Sequence, residues 1–81
     1  MDANTFYESQ ARELIKRIRR EKDMPYWRLA ENLSAMGVDM EEQVLINRVN
    51  RGRYSFAFAL QLLAALGVDT LEVPRPPLKG R

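Results

Sequence analysis

The sequence predicts an all-α domain of four to five helices, and three observations predict it. Apolar residues recur at three- and four-residue steps in the longer segments. Pro25, Gly37, Gly52 and Gly67 separate those segments at intervals that suit helices, and no segment shows the alternation of a half-buried strand. A chain of 81 residues encloses one small core and no more, so the elements form a single domain over residues 5–73, with a flexible basic tail over 74–81.

Residues 5–22 form the first predicted helix, because Tyr7, Ala11, Leu14, Ile15 and Ile18 fall on one face. Its other side carries Arg12, Lys16, Arg17, Arg19, Arg20 and Lys22. They are either a solvated surface, the reading favoured here, or an approach to phosphates. Asp23 and Met24 break the pattern, and Pro25 suits the first turn of a second helix, where its missing N–H costs nothing. That helix runs to Met36 on a stripe of Tyr26, Leu29, Ala30, Leu33 and Met36, with Trp27 off the stripe. Gly37 supplies the left-handed residue that ends it.

A third helix is expected from near Asp39 or Glu41 to Gly52, its acidic start matching the positive end of the helix dipole. Ser55 is placed to cap a fourth helix over residues 56–66. This segment is apolar on nearly every side, so it should be surrounded by the others before closing on Gly67. Asp69 and Glu72 have capping-box spacing and predict a short fifth turn ahead of Pro74.

Composition narrows the function. Hydrophobic residues at 46% and charged residues at 30% describe an ordinary soluble globular chain. There is no cysteine for a disulfide or thiolate zinc site, and no histidine, the commonest general base and metal ligand. No paired acids, nucleophile or metal-ligand set stands out, so neither an enzyme nor a cofactor is expected. The apolar run 56–68 is too short to cross a bilayer, and residues 1–10 lack the pattern of a secretory signal. A cytoplasmic protein without membrane contact is therefore the expectation. The net charge of +2 predicts no partner by itself, but the basic residues cluster: one block in the first helix, Arg48, Arg51 and Arg53 in another, Arg75, Lys79 and Arg81 in the tail.

The third helix, about residues 41–51, is the most informative. At ~100° per residue Leu45, Ile46 and Val49 share an inward sector, while Gln43, Val44, Asn47, Arg48 and Arg51 project oppositely with no acid among them. Gln and Asn pair with adenine edges, Arg with guanine, and a branched apolar group touches the thymine methyl, which is the set a major groove reads. The plainer reading is a solvated helix face. The flank Arg51, Arg53, Tyr54 and Ser55 offers cations, a phenol, a hydroxyl and free backbone N–H groups of the kind that hold phosphates; Tyr54 as a packing residue and Ser55 as a plain cap are compatible with that role.

These residues resemble the helix-turn-helix domain of the lambda repressor, Cro and XRE-like family. The likeness rests on Leu29-Ala30, on the run from Ile46 through Asn50-Arg51-Gly52, and on Ala65-Leu66-Gly67-Val68. The longer pattern, adding Gly37-Val38 and Phe58, also resembles a bacterial subfamily known as a domain of unknown function. The resemblance implies a lambda-repressor-like fold, a transcription regulator and double-stranded DNA as partner. Its early recognition-helix positions fall on Gln43, Val44, Asn47 and Arg48. The sequence departs from the family in three places: about one extra turn between Ala30 and Gly37, Pro25-Tyr26 in place of a polar cap and glutamine, and Asp39, Glu41 and Glu42 ahead of the reading face. Tyr26 is either a phosphate donor or a core residue.

A domain this small commonly gains affinity by binding DNA as a symmetric dimer. A homodimer is expected through the apolar excess of the fourth helix and residues 68–73, with Leu71 and Val73 at the interface. The alternative is that they seal the monomer. The rival functional class is an adaptor of a phage or plasmid system that keeps this architecture and binds a protein partner instead of DNA.

Overall fold

The computed structural model describes residues 2–75, and these form four α-helices with no strand among the described residues. Helix α1 spans Ala3–Glu21, α2 Tyr26–Ala35, α3 Glu42–Arg51 and α4 Phe56–Ala65. The tail predicted for 74–81 lies, beyond Arg75, outside the described residues.

Local chemistry sets the boundaries. Asp2 caps α1 by accepting from the Thr5 backbone N–H at 2.7 Å, which starts the helix earlier than apolar spacing alone indicates. Pro25 sits one position before the first turn of α2, not within it. Its extended backbone (ψ 158°) aims its carbonyl at the N–H groups of Arg28 and Leu29. Ser55 accepts from Phe58 N at 3.0 Å and caps α4 as its position predicts. The predicted fifth turn does not form, and residues 68–75 are non-helical. Pro74 pushes Val73 out of the helical region, so too few residues remain to close a hydrogen-bonded turn.

The core is the meeting of four stripes. Leu29, Leu33, Leu45, Val49, Leu62 and Leu66 are fully enclosed, joined by Ile15, Ile18, Phe58 and Ala65. Helix α3 packs against α1 and α2, and α2 packs against α4. Two long-range polar ties reinforce this. Asn32 Nδ2 donates to the Ala65 carbonyl at 3.0 Å, satisfying an acceptor left open at the end of α4, and Lys22 Nζ donates to the Gly67 carbonyl just beyond it at 3.4 Å.

The expectation that α4 is surrounded is wrong. Phe56 is 79% exposed and Leu60 50%, and Ala57 and Ala64 also face outward. Helix α4 packs mainly against α2, and the described residues that follow it, 68–75, leave Phe56 and Leu60 uncovered. The stripes of α1 and α2 also end in the open, at Tyr7 and Met36.

Candidate functional site

Helix α3 presents its predicted outward face. Leu45 and Val49 point into the core and Ile46 is half-buried, which turns Gln43, Val44, Asn47 and Arg51 to the outside. Gln43 Nε2 donates to Asn47 Oδ1 at 3.0 Å across one turn, so the two amides lie side by side. The pair keeps the Gln43 oxygen, one of its N–H donors and both Asn47 N–H donors for an outside partner. Val44 stands beside them, nearly half exposed. Asn50, which the sequence marks only as part of the family likeness and not as a site residue, is exposed on the flank of the same face.

Arg48 is displaced from this set. Its guanidinium lies 3.9 Å from the centroid of the Phe58 ring, where it roofs the core at the junction of α3 and α4. The residue remains exposed, but its charge is directed toward α4 and away from the amide pair. Helical spacing leaves it at the edge of the outward sector, and the ring of Phe58 decides which way it leans.

The flank divides in the same manner. At the end of α3, Gly52 adopts a left-handed backbone (φ +71°), and the chain turns sharply into Arg53, Tyr54 and Ser55. Tyr54 serves the fold: its hydroxyl donates to the Val49 carbonyl at 2.6 Å, and its ring meets Phe58 edge-on. Burial, and secondarily the neighbouring Tyr26 phenol, push the Tyr54 hydroxyl well above the ordinary phenol range, opposed by the Arg12 guanidinium. With its proton committed, Tyr54 has only lone pairs to offer, and these cannot donate to a phosphate. In this arrangement Tyr54 packs and braces the fold.

Arg53 is exposed but held, its Nε 3.2 Å from the Glu8 carboxylate of α1. Arg51 is exposed in the last turn of α3. Ser55 uses its oxygen as the α4 cap and keeps its hydroxyl proton, next to the unbonded N–H groups of the first α4 turn. Tyr26 is half-buried, with the Arg19 guanidinium 4.2 Å from its ring centroid. Arg19 in turn donates to the Met24 carbonyl at 3.0 Å while its Nε finds no hydrogen-bond partner, so ring and cation brace the α1–α2 corner. Tyr26 is thus the core-side residue of the two alternatives.

The acidic residues separate as well. Asp39 accepts from Ser34 Oγ at 2.6 Å and is folded back onto the end of α2. Glu41 and Glu42 remain exposed at the start of α3, and Glu41 makes no side-chain capping bond. On α1, Arg12 pairs with Glu13 and Arg17 with Glu21, which fits the solvated-surface reading of the basic block. Leu71 and Val73 are exposed beyond α4, where the neighbouring Glu72 and Pro74 line a shallow groove with Gln10, Leu14 and Arg17 of α1. Among the described residues no acid, histidine or cysteine cluster could hold a metal, and no helix is long and apolar enough to cross a membrane.

What the site can do chemically is present a narrow strip of amide donors and acceptors with one branched apolar group. A cation, a hydroxyl and open backbone N–H groups stand at its C-terminal end. Residues 7–71 match a family model described as Domain of unknown function (DUF6471). No curated protein and no solved structure matches the chain.

Proposed function

The chain belongs to the DUF6471 family, and from its own geometry we propose that it is a small cytoplasmic DNA-binding regulator. In this reading α2 and α3 are a helix-turn-helix of the lambda-repressor, Cro and XRE-like kind, and α3 enters the major groove. The observation that carries the reading is the outward face of α3. Gln43 and Asn47 stand paired by a 3.0 Å hydrogen bond, with Val44 and Arg51 beside them and no carboxylate among them. A planar amide with one donor and one acceptor free matches the adenine edge, and Val44 supplies the apolar contact a thymine methyl takes.

Phosphate contact then falls to Arg51, to the Ser55 hydroxyl and to the first N–H groups of α4. The short left-handed turn at Gly52 brings these together at one end of α3. Arg53 joins them once it leaves Glu8. Arg48 contributes positive field from the flank and no base-specific bond.

Selection of bound sequences from a random duplex pool, followed by anisotropy titrations across salt, tests the proposal. Asn47→Ala should lose discrimination at one base position by about 1–3 kcal/mol. Arg51→Ala should weaken binding to every sequence alike and lower the salt slope by about 1. No enrichment from the pool, together with salt-insensitive or absent binding by the parent, would sink the reading. Glu41 and Glu42, exposed at the α3 start, favour the second reading, a protein-binding adaptor. That reading predicts a partner retained by the Gln43–Asn47 face with no retention of DNA.

A further inference from the structure

Helix α4, FAFALQLLAA, contains no charged residue, yet one side of it is open. Phe56, Ala57, Leu60 and Ala64 are exposed and Leu63 is half-buried beside them, while Phe58, Leu62 and Ala65 turn inward. Of the exposed large hydrophobic residues, Phe56 is the most open, at 79%. From this face we infer that the chain forms a homodimer in which α4 packs antiparallel on α4 of a second copy, with the two-fold axis passing at Leu60.

The order of side-chain sizes identifies the occupant. A two-fold axis at Leu60 brings together residues equidistant from it along the helix. Phe56 then meets Ala64 of the other copy, Ala57 meets Leu63, and Leu60 meets itself. Each large side chain lies over a small one on both sides of the axis, as interdigitating helix faces require. Ala64 also forms the wall of a shallow depression with Ala35 and Met36 from the end of α2. The protruding Phe56 ring of the partner has a recess to enter there. At the other end, Phe56 borders an open groove that Tyr7, Ala11 and Ala59 line together with the Glu8 and Arg53 pair, so the apolar contact ends on a polar rim. Protrusion and recess on one helix, each repeated by symmetry, describe a self-complementary surface better than a surface made for an unrelated protein.

Charge agrees with this, and area sets the strength. The face of α4 itself has no ionic group, so it neither repels its own copy nor needs an opposite charge in a partner. At 79% exposure Phe56 alone offers roughly 150 Å². The whole face is on the order of 400 Å², near the largest apolar patch a monomer normally shows. Two copies would hide about twice that, below the size of standard specific interfaces and in the range of weak, transient ones, so association is weak and concentration-dependent. The pairing centres on α4; Leu71 and Val73 lie beyond its end, toward α1. It does not depend on the DNA reading, since it is measured without nucleic acid.

The chain has no cysteine, so introduced thiols report the register directly. In sedimentation equilibrium the parent should pass from monomer to dimer as concentration rises through the micromolar range. Leu60→Glu, which sets two carboxylates on the axis at a half-exposed position, should raise the dissociation constant more than tenfold with an unchanged helical circular dichroism spectrum. Under mild oxidation Leu60→Cys should cross-link to itself. An equimolar mixture of Phe56→Cys and Ala64→Cys should give the mixed dimer faster than either gives its own. Trp27→Cys, exposed on α2, is the collisional control. A parent that stays monomeric at all these concentrations overturns the inference. So does a dimer that survives Leu60→Glu, or cross-linking at position 60 no faster than at position 27.

Discussion

Replacing Gly52 with alanine tests how α1 is held against the segment that leads from α3 to α4. Gly52 is buried and left-handed at φ +71°. A β-carbon built there falls inside van der Waals contact of the Glu8 carbonyl oxygen and 3.3 Å from Arg12 Cβ. The first of these is backbone of a helix and cannot swing aside. Two penalties therefore add: the left-handed conformation costs about 1–2 kcal/mol for a residue with a β-carbon, and forcing α1 off the turn costs about 1–3 kcal/mol as overpacking. The sum, about 2–5 kcal/mol, is a large part of the roughly 4–12 kcal/mol typical of a chain this long. Gly37→Ala supplies the comparison, since Gly37 is also left-handed (φ +89°) but has nothing within 4 Å of the new carbon. It should show the conformational penalty alone. Urea denaturation followed by far-UV circular dichroism gives both values, and their difference, about 1–3 kcal/mol, is the contact itself. If Gly52→Ala is no more destabilising than Gly37→Ala, α1 does not rest on this turn.

Other outcomes follow from single contacts. Tyr54→Phe leaves the Val49 carbonyl without its 2.6 Å partner and should lower stability by about 1–2 kcal/mol in the same assay, without altering DNA binding. The parent's stability should also fall as pH rises above the ordinary phenol value of 10.0, because the unfolded tyrosine ionises there while the folded one stays protonated. Tyr54→Phe should lose part of that alkaline slope. Asn32→Ala removes the tie from α2 to the Ala65 carbonyl and should cost about 1–2 kcal/mol by urea midpoint, an unchanged midpoint counting against the bond. Glu8→Gln releases Arg53 and, in the proposed function, should tighten low-salt binding to random duplex DNA; equal titration curves would show that Arg53 takes no part.

Where a feature depends on a few neighbouring residues, the chain declares it openly. Ser55 caps α4 because a hydroxyl three residues before an N–H reaches it by local geometry alone, and Leu45 and Val49 point inward because helical periodicity and hydrophobicity agree. The Gln43–Asn47 pairing is also local, four residues apart on one helix. Other placements depend on residues far away in the chain. Nothing near Arg48 in sequence says that the Phe58 ring takes its guanidinium, and nothing near Arg53 says that Glu8, far away on α1, takes its charge. Tyr54 offered a signal that was open to two uses: an aromatic residue after a helix-ending glycine suits packing as well as phosphate contact. Its bond to the Val49 carbonyl favours packing, since a hydroxyl has one proton to donate.

By itself the sequence determined the all-helical class, the four helices to within a few residues and the two-sided character of α3, because each follows from spacing and capping over a handful of positions. Only the tertiary structure decided which polar side chains stay free on the candidate site and which are drawn into the fold. It also decided that α4 keeps an open apolar face. Those outcomes depend on which surfaces three other helices can cover at once, and a hydrophobic helix carries the same sequence whether its last side is sealed by its own chain or left for another.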